Sequence, residues 1–180
     1  MGEYYVDGEL YHYGVKGQKW GVRRYQNEDG SLTNAGKARQ DYKDAKRDAR
    51  DAYREMRKSG GFGMKGIKKY RAAEKKYNDA DMNRLHAKAK YAASKAKNSD
   101  KAEKAELKVY AKELKKNGLP GSEFDRRNGG RSERIYDSMA VKKGQDYADK
   151  VAKRVEKQTY AEIAVAATVA IGAAFVSANS

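Results

Sequence analysis

From residue 35 to residue 56, small and aromatic side chains recur at spacings that alternate three and four: Ala35, Ala38, Tyr42, Ala45, Ala49, Ala52 and Met56. This heptad pattern holds one stripe of an α-helix toward a partner, because seven residues nearly complete two turns. One position before the stripe stand Asp41, Asp44, Asp48, Asp51 and Glu55, and one position after it stand Lys43, Lys46, Arg50 and Arg57. At about 100° per residue, the stripe therefore has an acidic edge and a basic edge. Beyond the glycine-rich break KSGGFGMKG at 58–66, Tyr70, Ala73, Tyr77 and Ala80 repeat the spacing, and helical sequence continues to about Lys97. The two stripes can meet in an antiparallel hairpin, with tyrosines of one helix over alanines of the other, or between copies in a homo-oligomer. A lone charged helix that packs nowhere is the third arrangement.

Little else in the chain can build a core. Leu, Ile, Val and Phe make up 23 of 180 residues, below the roughly 20% under which a globular core becomes doubtful. Much of the remaining apolar content is Ala, which buries little area, and Tyr, which keeps a polar tip. The expected fold is mainly α: elongated helical hairpins or heptad-patterned helices, with a small N-terminal β-hairpin module and a hydrophobic C-terminal helix. Four segments follow. Residues 1–33 form a Tyr/Trp/Gly docking module, 34–117 a basic helical body, 118–160 a loop plus amphipathic helices, and 161–180 a hydrophobic tail.

Within 1–33, Tyr4, Tyr5, Val6, Leu10, Tyr11 and Tyr13 read as short strands around an Asp7-Gly8 turn, and Asp29-Gly30 supplies the positive-φ corner of a second hairpin. Asn34 is a candidate N-cap for the first long helix. Asp100 and Glu103 resemble a capping box, Leu107, Tyr110 or Ala111, and Leu114 give that helix its apolar face, and Gly118 with Pro120 stops it. A further helix is expected from about Glu133 to Lys143, ended by Gly144, and a last one from near Gln145 with Tyr147, Val151 and Val155 on one face.

The net charge of +15 is unevenly placed. Residues 1–33 carry 4 basic and 5 acidic side chains, 34–117 carry 26 and 12, and 118–180 carry 10 and 8. A basic body of this kind attracts nucleic acid, anionic lipid or acidic protein surfaces without choosing among them. Lys68, Lys69, Arg71, Lys75, Lys76, Lys88 and Lys90 are the candidate polyanion contacts. In the first segment, His12, Lys16, Lys19, Trp20, Arg23, Arg24 and Tyr25 mix cations with aromatics: either these contact phosphate and stack on bases or partner surfaces, or Trp20 and Tyr25 form the small core of the module and the arginines solubilise it.

With no Cys, disulfides, thiolate zinc sites and cysteine nucleophiles are excluded. His12 and His86 are the only imidazoles, far apart and without a nucleophile at motif spacing, so neither an enzyme nor a cofactor or metal is expected. The glycine clusters GVKGQKWG and GGFGMKG lack the strand and the GK[ST] ending of a nucleotide loop. Their shared G-x-K-G-x-K recurs easily in a chain rich in both residues. The first twenty residues hold Glu3, Asp7 and Glu9 and no apolar run, so no secretory signal is expected. Residues 163–178 are sixteen uncharged positions, about 24 Å of helix against a hydrocarbon core of roughly 30 Å. That is borderline for insertion, with Lys150, Lys153, Arg154 and Lys157 placed to hold the preceding side in the cytoplasm; burial against other copies or a partner is the alternative.

The stretch HYGVKGQKWGVRRYQNEDGSLTNAGKARQDY, residues 12–42, resembles HGxxGxKWGxRRYQNxDGSLTxAGxxRY, a motif of proteins encoded by tailed phages and prophages of Gram-positive bacteria. KELKKNGLPGSEFDRRNGGRSERIYDSMAVKKGQDYADKVAKRVEKQT, residues 112–159, is similar to the C-terminal half of the same group. Departures are Tyr13 between His12 and Gly14, Gln18 where Met is common, and Asn34 where Pro is common. Proteins of this group are described as phage structural or hypothetical proteins with a domain of unknown function, which is all that the resemblance implies; a virion- or head-associated protein that docks on a head or portal protein, in the particle and the host cytoplasm, is the first expectation. The resemblance supplies no catalytic or ligand residues. A DNA- or RNA-binding accessory protein and a membrane-active protein are the other expectations.

Overall fold

Thr33, one residue before the expected cap, starts the first long helix. Its hydroxyl accepts the Gly36 N–H at 3.1 Å, so Asn34 is already helical. A computed structural model describes residues 4–6, 9–11, 25–27 and 29–178, with side chains at 25–27 and 29–162. Two short antiparallel strands, β1 (Tyr4–Val6) and β2 (Glu9–Tyr11), precede six helices: α1 (Asn34–Lys58), α2 (Gly63–Ala93), α3 (Ser99–Asn117), α4 (Glu123–Arg127), α5 (Arg131–Lys143) and α6 (Gln145–Ala178). The molecule is mainly helical. A turn at Asn27 to Ser31, with Gly30 at φ 82°, closes a bridge between Gln26 and Leu32.

The Ala/Tyr stripe is the α1–α2 contact. Ala38, Ala49 and Ala52 of α1 are buried, as are Gly66 and Ala73 of α2, and Ala35, Tyr42, Ala45 and Met56 are half-buried. Tyr42 stacks near Tyr91 with ring centres 6.2 Å apart, and Tyr53 lies tilted against Tyr77 at 5.4 Å, so the helices run antiparallel. Tyrosine therefore meets tyrosine, where tyrosine over alanine was expected. Paired rings fill the wider gaps, and the alanines between them let the backbones close. The break is shorter than its glycines suggest: Ser59–Phe62 link the helices, and Gly66 lies inside α2. A Cβ on Gly66 would stand 2.2 Å from the Gly61 carbonyl oxygen, so only glycine admits this return of the loop.

The larger apolar side chains gather elsewhere. Leu85 and Ala89 of α2 meet Leu107, Tyr110, Ala111 and Leu114 of α3, with Ile135 and Met139 of α5 and Ala148, Val151 and Val155 of α6. This four-helix cluster draws on the predicted apolar faces of α3 and α6. The capping box at Asp100 and Glu103 is not formed: Asn98 caps α3 by accepting the Lys101 N–H at 3.0 Å, and Glu103 turns to Lys150 of α6 at 2.5 Å. Gly118 and Gly144, both at positive φ, end α3 and α5 where expected.

Between α3 and α5 lies the unanticipated α4, with one organising side chain. Asp125 is 0% exposed, and its carboxylate accepts the N–H groups of Ser132 at 2.6 Å and Glu133 at 3.0 Å. A negative charge thus sits on the otherwise unsatisfied donors of the first turn of α5. Among the described residues, no helix is long and apolar enough to cross a membrane.

Candidate polyanion-binding surface

Helix α2 carries all seven expected polyanion contacts, but it does not use them alike. Lys68, Lys69, Arg71 and Lys75 are exposed and make no ion pair among the described residues. At about 100° per residue, Lys68, Arg71 and Lys75 share the side opposite the buried Gly66 and Ala73. They form a cationic row facing solvent. Lys76 reaches across to Glu55 of α1 at 2.6 Å and Lys90 to Asp41 at 3.4 Å, which lace the basic edge of one helix to the acidic edge of the other. Such exposed pairs fix alignment more than they add stability.

Lys88 is drawn inward. Its side chain keeps 33% exposure and pairs with Glu113 of α3 at 3.1 Å. Glu113 also accepts from Arg131 of α5 at 3.4 Å, and Arg131 reaches on to Asp81 of α2. Asp81, 4% exposed, is gripped by Arg84 through Nε at 2.9 Å and Nη2 at 2.7 Å. Three helices are thereby joined by five charges. Burial raises the Glu113 pKa, but the Lys88 hydrogen bond and charge, with Arg131 and Arg84, more than reverse this and hold it below the usual range. No motif or period in the sequence singles out Asp81, Glu113 or Arg131. The i,i+3 pair Asp81/Arg84 was the one local signal.

His86 is equally interior in its bonding. Nδ1 lies 2.7 Å from the Tyr110 hydroxyl and Nε2 lies 2.6 Å from the Ser138 hydroxyl, so one imidazole bridges α2, α3 and α5. Burial, then the charges of Lys142 and Lys143, lower its pKa from 6.5 to about 4. It is neutral at neutral pH. Among the described residues, no group of three or more acidic or imidazole side chains could hold a metal ion.

Of the docking residues, His12, Lys16, Lys19, Trp20, Arg23 and Arg24 lie outside the described residues. Tyr25 is described and anchored. Its carbonyl accepts the Thr33 N–H at 2.9 Å and the Thr33 hydroxyl at 3.2 Å. Its hydroxyl lies 3.2 Å from that of Tyr91, and the Arg39 guanidinium stands 4.8 Å from its ring centre. A Cβ on Gly36 would come within 2.4 Å of the Tyr25 carbonyl oxygen, so this glycine lets the preceding segment cross the first turn of α1. Lys150, Lys153, Arg154 and Lys157, read as a membrane flank, line an open groove beside Leu107 of α3.

A family model described as "Family of unknown function (DUF7211)" matches residues 3–27, a stretch that includes the Tyr25 anchor. No curated protein matches the chain, and no solved structure does.

Proposed function

We propose that the chain is a structural component of a tailed-phage particle, associated with the head and acting by assembly. The observation that carries this reading is the division of labour on α2: Lys76, Lys88 and Lys90 brace the helices, while Lys68, Arg71 and Lys75 are left as an outward cationic row, with Lys69 exposed and unpaired among the described residues nearer the α1 side. A row that binds phosphates suits a protein lying beside packaged DNA. The resemblance of residues 12–42 and 112–159 to phage structural proteins supplies the setting. In this reading, residues 1–33 dock on a head or portal protein, fixed to the helical body at Tyr25, and further copies of the chain are available for self-association.

The test is mass spectrometry of purified particles of the encoding phage. Peptides of the chain are expected at a defined copy number per particle; abundant protein in infected cells with none in particles would refute the assignment. The same cationic row favours one second reading, a cytoplasmic accessory protein that binds DNA or RNA without sequence preference. Either reading expects affinity for duplex DNA to fall steeply with salt. Changing Lys68, Lys69, Arg71 and Lys75 to Gln should reduce the slope of log affinity against log salt by about 3 to 4.

A further inference from the structure

The apex of the α1–α2 hairpin has a chemistry that DNA contact does not require. Residues 57–71 contain six cations and no carboxylate: Arg57, Lys58, Lys65, Lys68, Lys69 and Arg71. All six are exposed, and none is in an ion pair among the described residues. Among them stand apolar side chains turned to water. Phe62 is fully exposed, Met64 is 72% exposed and Ile67 is 45% exposed. Phe62 occupies the N-cap of α2 and makes no side-chain capping bond, at a position where Ser, Thr, Asp or Asn would satisfy the free N–H groups. The bundle core lies toward the other end of α2, from Met82 onward, so these three side chains add nothing to it.

We infer that this apex is a wedge for the surface of an anionic bilayer. Phe62, Met64 and Ile67 enter the boundary between headgroups and acyl chains, and the six cations contact lipid phosphates. From Phe62 to Arg71 the helix rises about 14 Å. The apolar side chains therefore lead, and most of the cations follow within one to two turns, in the same depth order as acyl boundary and phosphate layer. Charge complementarity narrows the occupant. A second copy would set six cations against six, and a phosphate backbone would use the cations but leave Phe62 and Met64 in water. The assignment needs no membrane-crossing helix, and it stands whether or not the chain is a particle component.

The full chain is to be sedimented with phosphatidylcholine vesicles and with vesicles containing about one-third phosphatidylglycerol. Binding to the anionic vesicles, with little to the neutral ones, is expected. The variant Phe62→Ser, Met64→Ser, Ile67→Ser should bind anionic vesicles about tenfold or more weakly while keeping its affinity for duplex DNA. Wild-type chain that ignores anionic vesicles would overturn the inference. So would a triple variant that binds them as well as wild type, because the cations or α6 would then suffice. Parallel loss of vesicle and DNA binding would make the apex a nucleic-acid wedge instead. Should the triple variant fail to fold, a chain carrying Trp20→Phe and Phe62→Trp gives a second reading. Its emission should shift to the blue on anionic vesicles and be quenched by brominated acyl chains, and an unchanged spectrum would overturn the inference.

Discussion

Asp125 does more for the architecture than its place in a glycine-rich loop implies. Both carboxylate oxygens serve the first turn of α5, and its own carbonyl accepts the Gly130 N–H at 2.8 Å. Asp125→Ala should lower stability by about 2–3 kcal/mol in a urea titration, because two buried donors lose a charged partner. Asp125→Asn, which keeps one acceptor oxygen, should lose less. His86 gives the fold a pH dependence. Its pKa falls from 6.5 in the unfolded chain to about 4 in the folded one, so the unfolded chain binds the extra proton between those values. Its contribution to stability is complete above pH 6.5 and is lost as pH falls toward 4. Thermal midpoints measured across that window should drop, and His86→Gln should flatten this part of the profile. Neither residue was legible as a structural centre. Asp125 acts on N–H groups seven and eight positions away, and the two hydroxyls on His86 are 24 and 52 residues distant, distances at which periodicity carries no information.

At the scale of elements more was legible in the sequence, because helices advertise themselves by period. The stripe Ala38, Ala49 and Ala52, the apolar faces of α3 and α6, and the stops at Gly118 and Gly144 all follow from local rules. Caps were less legible: several residues near each start can accept an N–H, and Thr33 and Asn98 prevailed over Asn34 and Asp100. The short α4 has no period to reveal it, and the six docking residues from His12 to Arg24 fall where the structure describes no side chain. Gly36 yields a prediction of its own. Gly36→Ala favours α1 by helix propensity, about 1 kcal/mol, yet its methyl group collides with the Tyr25 carbonyl. The expected outcome is an intact helix with a displaced Tyr25, read as amide exchange at Thr33 about tenfold or more faster than in wild type.

Over the whole molecule, two kinds of packing share one helix. The inner half of α2 packs both on α1, through Tyr91 on Tyr42, and in the cluster around Leu85, Leu114 and Met139, whereas its outer half lies outside that cluster and is held to α1 through contacts such as Tyr77 on Tyr53. Hydrogen exchange should therefore be uneven, with amides of α1 and of residues 63–75 exchanging through lower-energy openings than those of α3 and α5. Equal protection throughout would show that the hairpin and bundle unfold as one unit. The Ala/Tyr stripe has one more consequence. A motif that repeats every seven residues looks almost the same after sliding by seven, so the two helices could dock like combs in more than one setting. The correct tooth is selected by contacts that the repeat does not duplicate: Gly66 against Gly61, Tyr53 against Tyr77, and the Lys76–Glu55 and Lys90–Asp41 pairs. Those surface pairs add little strength, and their contribution is to make the slipped settings worse than the native one.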